Sequence, residues 1–202
     1  MSLVILDYGI GNLRSVQKAF EKVGTPAIIS SDPQQAAEAD RIVLPGVGAF
    51  NDCMDKFTAA QLREPVQEHI HREKPFLGIC VGMQMLFTTG YENGVHAGLG
   101  IFPGEVVRFP TVPEYKIPHM GWNQVKAISG QLIWKSLPDP AWFYFVHSYY
   151  CVPQDRSLIA LETDYMLPFC AAILRGRLMA TQFHPEKSQK AGLALLMQFV
   201  EM

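Results

Sequence analysis

The sequence predicts an α/β fold built on a doubly wound, mostly parallel central sheet. In the first half of the chain, short apolar runs alternate with amphipathic segments of helical length. Alternation of strands and helices produces βαβ units, whose strands pair in parallel. In the second half, short strand-like runs are separated by turn residues, which indicates additional mixed or antiparallel strands.

The elements of the first half are defined by apolar runs, caps and glycines. Leu13, Val16, Phe20 and Val23 recur at helical spacing, and Gly24 stands where a C-terminal cap is expected. We expect strands at residues 3–6, 26–30, 41–44 and 75–79. We expect helices at residues 13–23 and 32–39, two helical pieces within residues 52–74, and a helix opening at residues 83–87.

The second half contains more strand-like segments than helices. We expect strands at residues 105–109, 123–128, 142–147, 157–161, 169–174 and 178–183, and a final helix over residues 187–200. Arg175-Gly176 reads as a hairpin turn. No repeat or linker interrupts the chain, so residues 1–202 are expected to form one domain with a flavodoxin-like sheet.

Composition excludes several classes of function. Hydrophobic residues make up 49% of the chain, and the net charge of −2 gives no basic surface for nucleic acid or an anionic membrane. No apolar run approaches the length of a membrane helix. The cysteines, at positions 53, 80, 151 and 170, are scattered, so we expect neither disulfides nor a metal site. A cytoplasmic protein with reduced thiols is the expectation.

The strongest motif is Gly78-Ile79-Cys80-Val81-Gly82, between a predicted strand and a predicted helix. This is the cysteine form of a nucleophile elbow, in which small neighbours permit a strained backbone at the reactive residue. The helix dipole and free N–H groups would stabilise a thiolate. The N–H of Val81 would point at a developing oxyanion. The alternative is that Cys80 is simply a buried small apolar residue.

A second motif, His184-Pro185-Glu186, follows a predicted strand. A histidine there can act as general base, and a carboxylate two residues later can orient and charge-stabilise its ring. Alone, the tripeptide is more typical of a surface histidine next to an acidic first helical turn. Together with Cys80 it indicates a catalytic triad.

Glycine-rich turns follow two other strands. Pro45-Gly46-Val47-Gly48 can present backbone N–H groups to an oxyanion, but it lacks the lysine of a phosphate-binding loop. Gly9-Ile10-Gly11-Asn12 lacks the third glycine of a dinucleotide fingerprint. No cofactor is expected. His69 and His71 lie in a charged helical segment, where we expect both to be solvated.

The segment 78–84 together with His184-Pro185-Glu186 resembles the class I glutamine amidotransferases. Within this family, the chain most resembles the glutaminase subunits of imidazole glycerol phosphate synthase. The narrower likeness rests on segments 7–12, 45–50, 118–123 and 147–149. The resemblance implies hydrolysis of glutamine by the nucleophile Cys80, the base His184 and the carboxylate Glu186. It implies that Gln84, Ser148 and Tyr149 hold the substrate, and that Val47 and Gly48 supply an oxyanion N–H after a peptide flip. Free rotation at the flanking glycines makes such a flip inexpensive.

The resemblance also implies a partner. The whole chain is used by the glutaminase fold, so the ammonia must be consumed on another chain, which in this family is a (β/α)8-barrel cyclase that forms a heterodimer. We take residues 118–123 as the docking segment because they place His119, Met120, Trp122 and Asn123 in a predicted loop. Trp122 would serve a core equally well.

Three alternatives stay open on the sequence. The chain could serve another amidotransferase, in anthranilate, guanylate or pyridoxal phosphate synthesis. It could be a regulatory module without catalysis on the same scaffold. It could also be a cysteine hydrolase or peptidase that does not act on free glutamine.

Overall fold

A computed structural model describes residues 2–128, 137 and 140–202 of the chain. Its strands, numbered in chain order, fall where apolar and β-branched residues cluster. They are β1 Leu3–Leu6, β2 Ile28–Ser30, β3 Arg41–Gly46, β4 Phe76–Cys80, β5 Phe87–Gly90, β6 His96–Ala97, β7 Phe102–Arg108, β8 His119–Ala127, β9 Ala141–His147, β10 Tyr149–Pro153, β11 Ile159–Tyr165, β12 Leu167–Arg175 and β13 Leu178–Thr181.

The helices follow the caps read from the sequence. Asp32 accepts a hydrogen bond from the Gln34 amide with Pro33 at the first helical position, and Gly24, with φ of 82°, follows the first long helix. The α-helices are α1 Leu13–Lys22, α2 Pro33–Glu38, α3 Phe50–Ala59, α4 Arg63–His71, α5 Val81–Gln84 and α6 Gln189–Glu201; Arg156–Leu158 and Pro185–Lys187 form 3-10 turns.

Within the described residues, nine strands form one sheet in the order β2-β1-β3-β4-β13-β12-β11-β8-β9. The first five strands are parallel and the remaining ones pair antiparallel. The predicted α/β class, with a parallel centre and antiparallel additions from the second half, is confirmed. The β12–β13 hairpin turns at Gly176, as expected.

A second sheet, with the order β10-β7-β5-β6, corrects one prediction. The helix expected to open at residues 83–87 ends after the single turn of α5, and Phe87 begins β5. Phe87 pairs with Phe102, and Thr89 with Glu105. Tertiary pairing therefore determines the conformation of a segment whose apolar spacing is also compatible with a helix.

The parallel strands converge on one edge of the sheet. Cys80 ends β4, and the loop after β3 lies beside it because Gly46 pairs with Cys80. The turn carrying His184 follows β13, the other neighbour of β4. In doubly wound sheets, sites lie at the carboxyl ends of the strands, so this edge is where the chemistry is expected.

Two further sequence inferences have different outcomes. The single domain over residues 1–202 stays a prediction. Among the described residues, no helix has both the length and the apolar character needed to cross a membrane.

Candidate active site

Cys80 occupies a strained turn between β4 and α5. Its backbone has φ of 56° and ψ of −112°, and the residue is 3% exposed. Residues other than glycine rarely adopt positive φ, and such strain concentrates at functional sites. The helix that follows is a single turn, so the expected dipole stabilisation of a thiolate is small, and local N–H groups and His184 become more important.

The elbow is possible because Gly82 has no side chain. A Cβ atom on Gly82 would lie 1.9 Å from the carbonyl oxygen of Leu44. A Cβ atom on Gly46 would lie 2.8 Å from the amide nitrogen of Gly82. These two glycines let β3 and the elbow approach closely, which places the Gly46–Gly48 loop against Cys80.

His184 and Glu186 form a buried pair. Nδ1 of His184 lies 2.8 Å from Oε1 of Glu186. The carboxylate accepts, so Nδ1 carries the proton and Nε2 remains available as a base. Nε2 is buried and has no hydrogen-bond partner of usual geometry among the described residues.

The charges around His184 favour its protonated form. Burial alone would lower the pKa of His184, but the negative charges of Cys80 and Glu186 raise that pKa to about 10. Cys80 and His184 also line the same cavity, so the thiol and the ring face a common space. A cysteine next to a histidinium is an activated nucleophile.

The turn at His184 is fixed by β9 and by Ser188. The amide of His184 donates to the carbonyl of Tyr144 at 2.9 Å. The hydroxyl of Ser188 donates to the carbonyl of His184 at 2.6 Å and accepts from the amide of Tyr144 at 3.0 Å. These bonds hold the His184 backbone in place without using its ring.

A cavity of about 440 Å³ lies over Cys80. It brings together Cys80, His184 and the residues predicted for the oxyanion and the substrate; those residues are Val47, Gly48, Val81, Gln84, Ser148 and Tyr149. Glu186 does not line the cavity and lies behind His184. Glu92 and Lys187 also line it, and neither was predicted. Burial, together with the charge of Asp52, raises the pKa of Glu92.

A larger cavity, of about 1110 Å³, lies at the opposite ends of the strands. It is bordered by Lys74 and Arg177, just before β4 and β13, and by acidic side chains of α4 such as Glu64 and Glu68. Its lining residues include no cysteine, so the smaller cavity, which contains Cys80, is the candidate site for thiol chemistry.

Two side chains hold the glycine-rich loop after β3. The hydroxyl of Tyr8 donates to the carbonyl of Pro45 at 2.7 Å. The thiol of Cys53, in α3, donates to the carbonyl of Val47 at 3.4 Å. The Val47 carbonyl belongs to the same peptide as the N–H of Gly48, so the contact with Cys53 holds the peptide for which a flip is expected.

Gln182 is a site residue that the sequence reasoning missed. It is fully buried, its Nε2 lies 3.8 Å from Sγ of Cys80, and its Oε1 accepts from Nε2 of Gln84 at 3.1 Å. The same Nε2 of Gln84 donates to the carbonyl of Tyr149 at 3.1 Å. The sequence signal was the period-two spacing that places Gln182 and His184 on one side of the chain.

The docking segment differs from expectation in two respects. Residues 119–123 lie in strand β8 rather than in a loop, and His119 is only 3% exposed, so it does not contribute to the surface. Met120 and Trp122 point outward, with 62% and 44% exposure. Asn123 is half-buried and donates to the carbonyl of Asp164 at 3.0 Å.

His69 is not solvated, contrary to expectation. It is 2% exposed, and its Nε2 donates to the carbonyl of Pro75 at 3.0 Å. Burial lowers the pKa of His69 to about 4, so the ring is neutral at pH 7. His71, two residues later, lies on the exposed side of α4.

The sequence model of the family described as glutamine amidotransferase class-I matches residues 4–202. The imidazole glycerol phosphate synthase subunit HisH of Syntrophotalea carbinolica is 54% identical, covering 99% of this chain and 100% of that protein. The chain belongs to the class I glutamine amidotransferases, and within them to the HisH family. The HisH subunit of Aquifex aeolicus is 50% identical over 98% of this chain and 96% of its own.

Solved structures share the amidotransferase fold at low sequence identity. PurLQS from Thermotoga maritima superposes with a TM-score of 0.76 at 16% identity, covering 99% of this chain and 97% of its own. The glutaminase domain of Trypanosoma brucei CTPS, solved with bound acivicin, gives a TM-score of 0.66 at 15% identity, covering 100% and 94%. At these identities the likeness concerns the fold.

Proposed function

We propose that this chain is the glutaminase subunit of an imidazole glycerol phosphate synthase and hydrolyses glutamine to glutamate and ammonia. The observation that carries the proposal is that Cys80 stands on a strained turn and that the buried His184–Glu186 pair favours a positive charge on the His184 ring. The HisH relatives support the assignment to histidine biosynthesis.

The first step forms a covalent bond to the substrate. Nε2 of His184 takes the proton of Cys80, and the thiolate attacks the side-chain amide carbon of glutamine. The carbonyl oxygen becomes an oxyanion that accepts from the N–H of Val81 and from the Val47–Gly48 loop. Each such donor stabilises the transition state by about 3 kcal/mol.

The second step releases ammonia and then glutamate. Protonated His184 gives its proton to the amide nitrogen, the carbon–nitrogen bond breaks, and a glutamyl thioester on Cys80 remains. His184 then removes a proton from water, whose oxygen attacks the thioester. Glutamate leaves and the thiol is restored. Glu186 holds the ring of His184 and stabilises its positive charge throughout.

The substrate lies in the cavity over Cys80. The amide of Gln84 and the backbone of Ser148 and Tyr149 line that cavity and offer polar groups to the glutamine. An N–H of the Val47–Gly48 loop that turns to the oxyanion only when a partner is bound would change the rate about a hundredfold.

The ammonia is consumed by a second protein. We propose a (β/α)8-barrel cyclase that forms a heterodimer with this chain in the cytoplasm and makes imidazole glycerol phosphate and an aminoimidazole carboxamide ribotide. The exposed Met120 and Trp122 support a docking surface on β8, because aromatic residues and methionine are enriched in interfaces. Asn123 lies beside them on the same strand.

The test is glutamine hydrolysis by the chain in complex with the cyclase of its own organism and the ribotide ligand. We expect the wild type to release glutamate and Cys80→Ala to lose all turnover. Cys170→Ala is the matched control, because Cys170 is a buried thiol in β12 whose Sγ bonds to the carbonyl of Ala172. Turnover surviving in Cys80→Ala would refute the mechanism. Activation by a different synthase would refute the pathway.

A further inference from the structure

Two buried histidines connect β8 with the cavity over Cys80. Nδ1 of His119 lies 3.0 Å from Nε2 of His147, and the residues are 3% and 6% exposed. His147 lines the cavity. Neither histidine takes part in the steps of glutamine hydrolysis described above.

The proton positions in this pair follow from one carbonyl group. Nδ1 of His147 lies 2.8 Å from the carbonyl oxygen of Tyr149, which can only accept. Nδ1 of His147 therefore carries the proton, and its Nε2 accepts from Nδ1 of His119. Nε2 of His119 then accepts from the side-chain amide nitrogen Nδ2 of Asn123, at 3.3 Å.

The same carbonyl fixes the two glutamine side chains on the other side. Since the oxygen of Tyr149 can only accept, the amide nitrogen of Gln84 faces it, and that nitrogen also donates to Oε1 of Gln182. The amide nitrogen of Gln182 is thereby turned to Sγ of Cys80, at 3.8 Å. The orientation of the Gln84 amide therefore determines the orientation of the Gln182 amide.

We infer that His119 and His147 are positioning residues, which hold the Tyr149 carbonyl so that Gln84 is oriented for glutamine and Gln182 donates to Cys80. The role of Gln84 in this inference rests on the proposed function. The orientation of Gln182 toward Cys80 does not.

The surroundings of the pair keep both rings neutral and fixed. Burial lowers the pKa of His119 to about 4 and that of His147 to about 3, so each ring has one donor and one acceptor at pH 7. The ring of His119 stacks on Tyr165 at 4.0 Å and on Phe145 at 4.9 Å. Buried polar networks of this kind fix a geometry when every member is satisfied.

Two substitutions of His119 separate positioning from packing. His119→Phe keeps a ring between Tyr165 and Phe145 but removes the donor to His147. Nε2 of His147 is then a buried acceptor without its donor. That cost disfavours the present position of the His147 ring and so weakens the bond from its Nδ1 to the Tyr149 carbonyl. His119→Asn loses the stacking but keeps an amide nitrogen near the position of Nδ1.

The first measurement uses the complex with the cyclase. We expect His119→Phe to raise KM for glutamine about tenfold, the effect of one buried hydrogen bond. We expect His119→Asn to stay within about threefold of the wild type, although its thermal midpoint is the lower of the two. A purely structural role requires the opposite order, with activity following stability, and that result would overturn the inference.

The second measurement does not need glutamine. Alkylation of Cys80 by iodoacetamide, followed by peptide mass, should be at least about threefold slower in His119→Phe than in His119→Asn or the wild type. Equal rates in the three proteins would overturn the inference. A wild type that fails to hydrolyse glutamine, with the alkylation difference present, would instead refute the proposed function and leave the positioning role supported.

Discussion

Nδ1 of His184 lies 2.8 Å from Oε1 of Glu186, and the two side chains are 2% and 1% exposed. Water does not screen this pair, so the carboxylate acts on the ring at close to full strength. Oε2 of Glu186 is buried with no hydrogen-bond partner among the described residues, so its negative charge is directed mainly to His184. The pair is built to stabilise an imidazolium.

Glu186→Gln tests that conclusion. A neutral amide still reaches Nδ1 but cannot offset the positive charge that His184 develops. We expect kcat for glutamine to fall about a hundredfold, because the amide does not stabilise the imidazolium that exists once Cys80 has given up its proton. Glu21→Gln, which removes an exposed carboxylate paired with Lys18, is the control and should leave kcat unchanged. Equal kcat values in the two variants would contradict the role of Glu186.

The pKa of His184 provides a second prediction. Burial lowers it, and the charges of Cys80 and Glu186 together raise it to about 10. An NMR titration of the wild type should therefore show a protonated ring at pH 7 to 9. Cys80→Ala removes the largest raising charge, so the pKa of His184 should fall. Identical titration curves in the two proteins would show that Cys80 and His184 do not interact.

His69 should make the protein sensitive to acid. Its pKa is about 4 in the folded state and near 6.5 when unfolded, so between these values only the unfolded chain binds the proton. Stability is therefore lost as the pH falls from 6.5 to 4. Between pH 7 and pH 5 we expect a loss of at most about 2 kcal/mol from this residue.

Urea unfolding at pH 7 and pH 5 measures this contribution. His69→Gln, which keeps a donor for Pro75, should lose less stability on acidification than the wild type. His71→Gln changes an exposed histidine on the same helix and should behave like the wild type. The same loss in all three proteins would assign the acid sensitivity to other groups, such as His119 and His147.

Gly82→Ala tests the packing of the elbow. The new Cβ atom would lie 1.9 Å from the Leu44 carbonyl, which is backbone and cannot turn away. We expect the free energy of unfolding to fall by about 3 kcal/mol or more. Gly24→Ala has a positive φ but no atom within 4 Å of its Cβ, so it should cost only about 1 kcal/mol. Equal losses in urea unfolding would mean that the close approach is unimportant.

Trp122→Ala tests the docking strand. The side chain is 44% exposed on β8. If it is buried by the cyclase, its removal should raise the dissociation constant at least about tenfold. Ile28→Ala is the control, since Ile28 is 52% exposed on β2 at the far edge of the same sheet. Calorimetric titration of the cyclase into each variant measures the effect. An unchanged affinity for Trp122→Ala would mean that the interface does not include Trp122.

Local patterns were sufficient for most of the fold. Asp32-Pro33 and Gly24 mark helix ends because capping depends on neighbouring residues alone. Residues 83–87 were expected to open a helix because the competing influence, pairing of Phe87 with Phe102, lies fifteen positions away and cannot be read from the local pattern. The strands β5, β6 and β10 were missed for the same reason.

In the candidate site, too, features set by neighbouring residues could be predicted, and features set by distant strand pairing could not. Cys80 and His184 were predicted as site residues because each stands in a short local motif, and these predictions remain to be tested. Gln182 and the His119–His147 pair were missed, since their significance depends on which strands adjoin and in what register. His69 was misjudged because charged neighbours on α4 obscured its position on the buried side of that helix.

Strand β9 carries a constraint on how this surface can change during evolution. Phe143 and Phe145 are fully buried, while Trp142 and Tyr144 alternate with them on the other side. A shift of one residue would expose both phenylalanines and detach the Tyr144 backbone from His184. An insertion or deletion in β9 would therefore disturb the core, whereas substitution of the exposed Trp142 would not. Substitutions of Tyr144, whose ring contacts Trp122 on the proposed docking surface, can therefore change that surface without moving the backbone of His184.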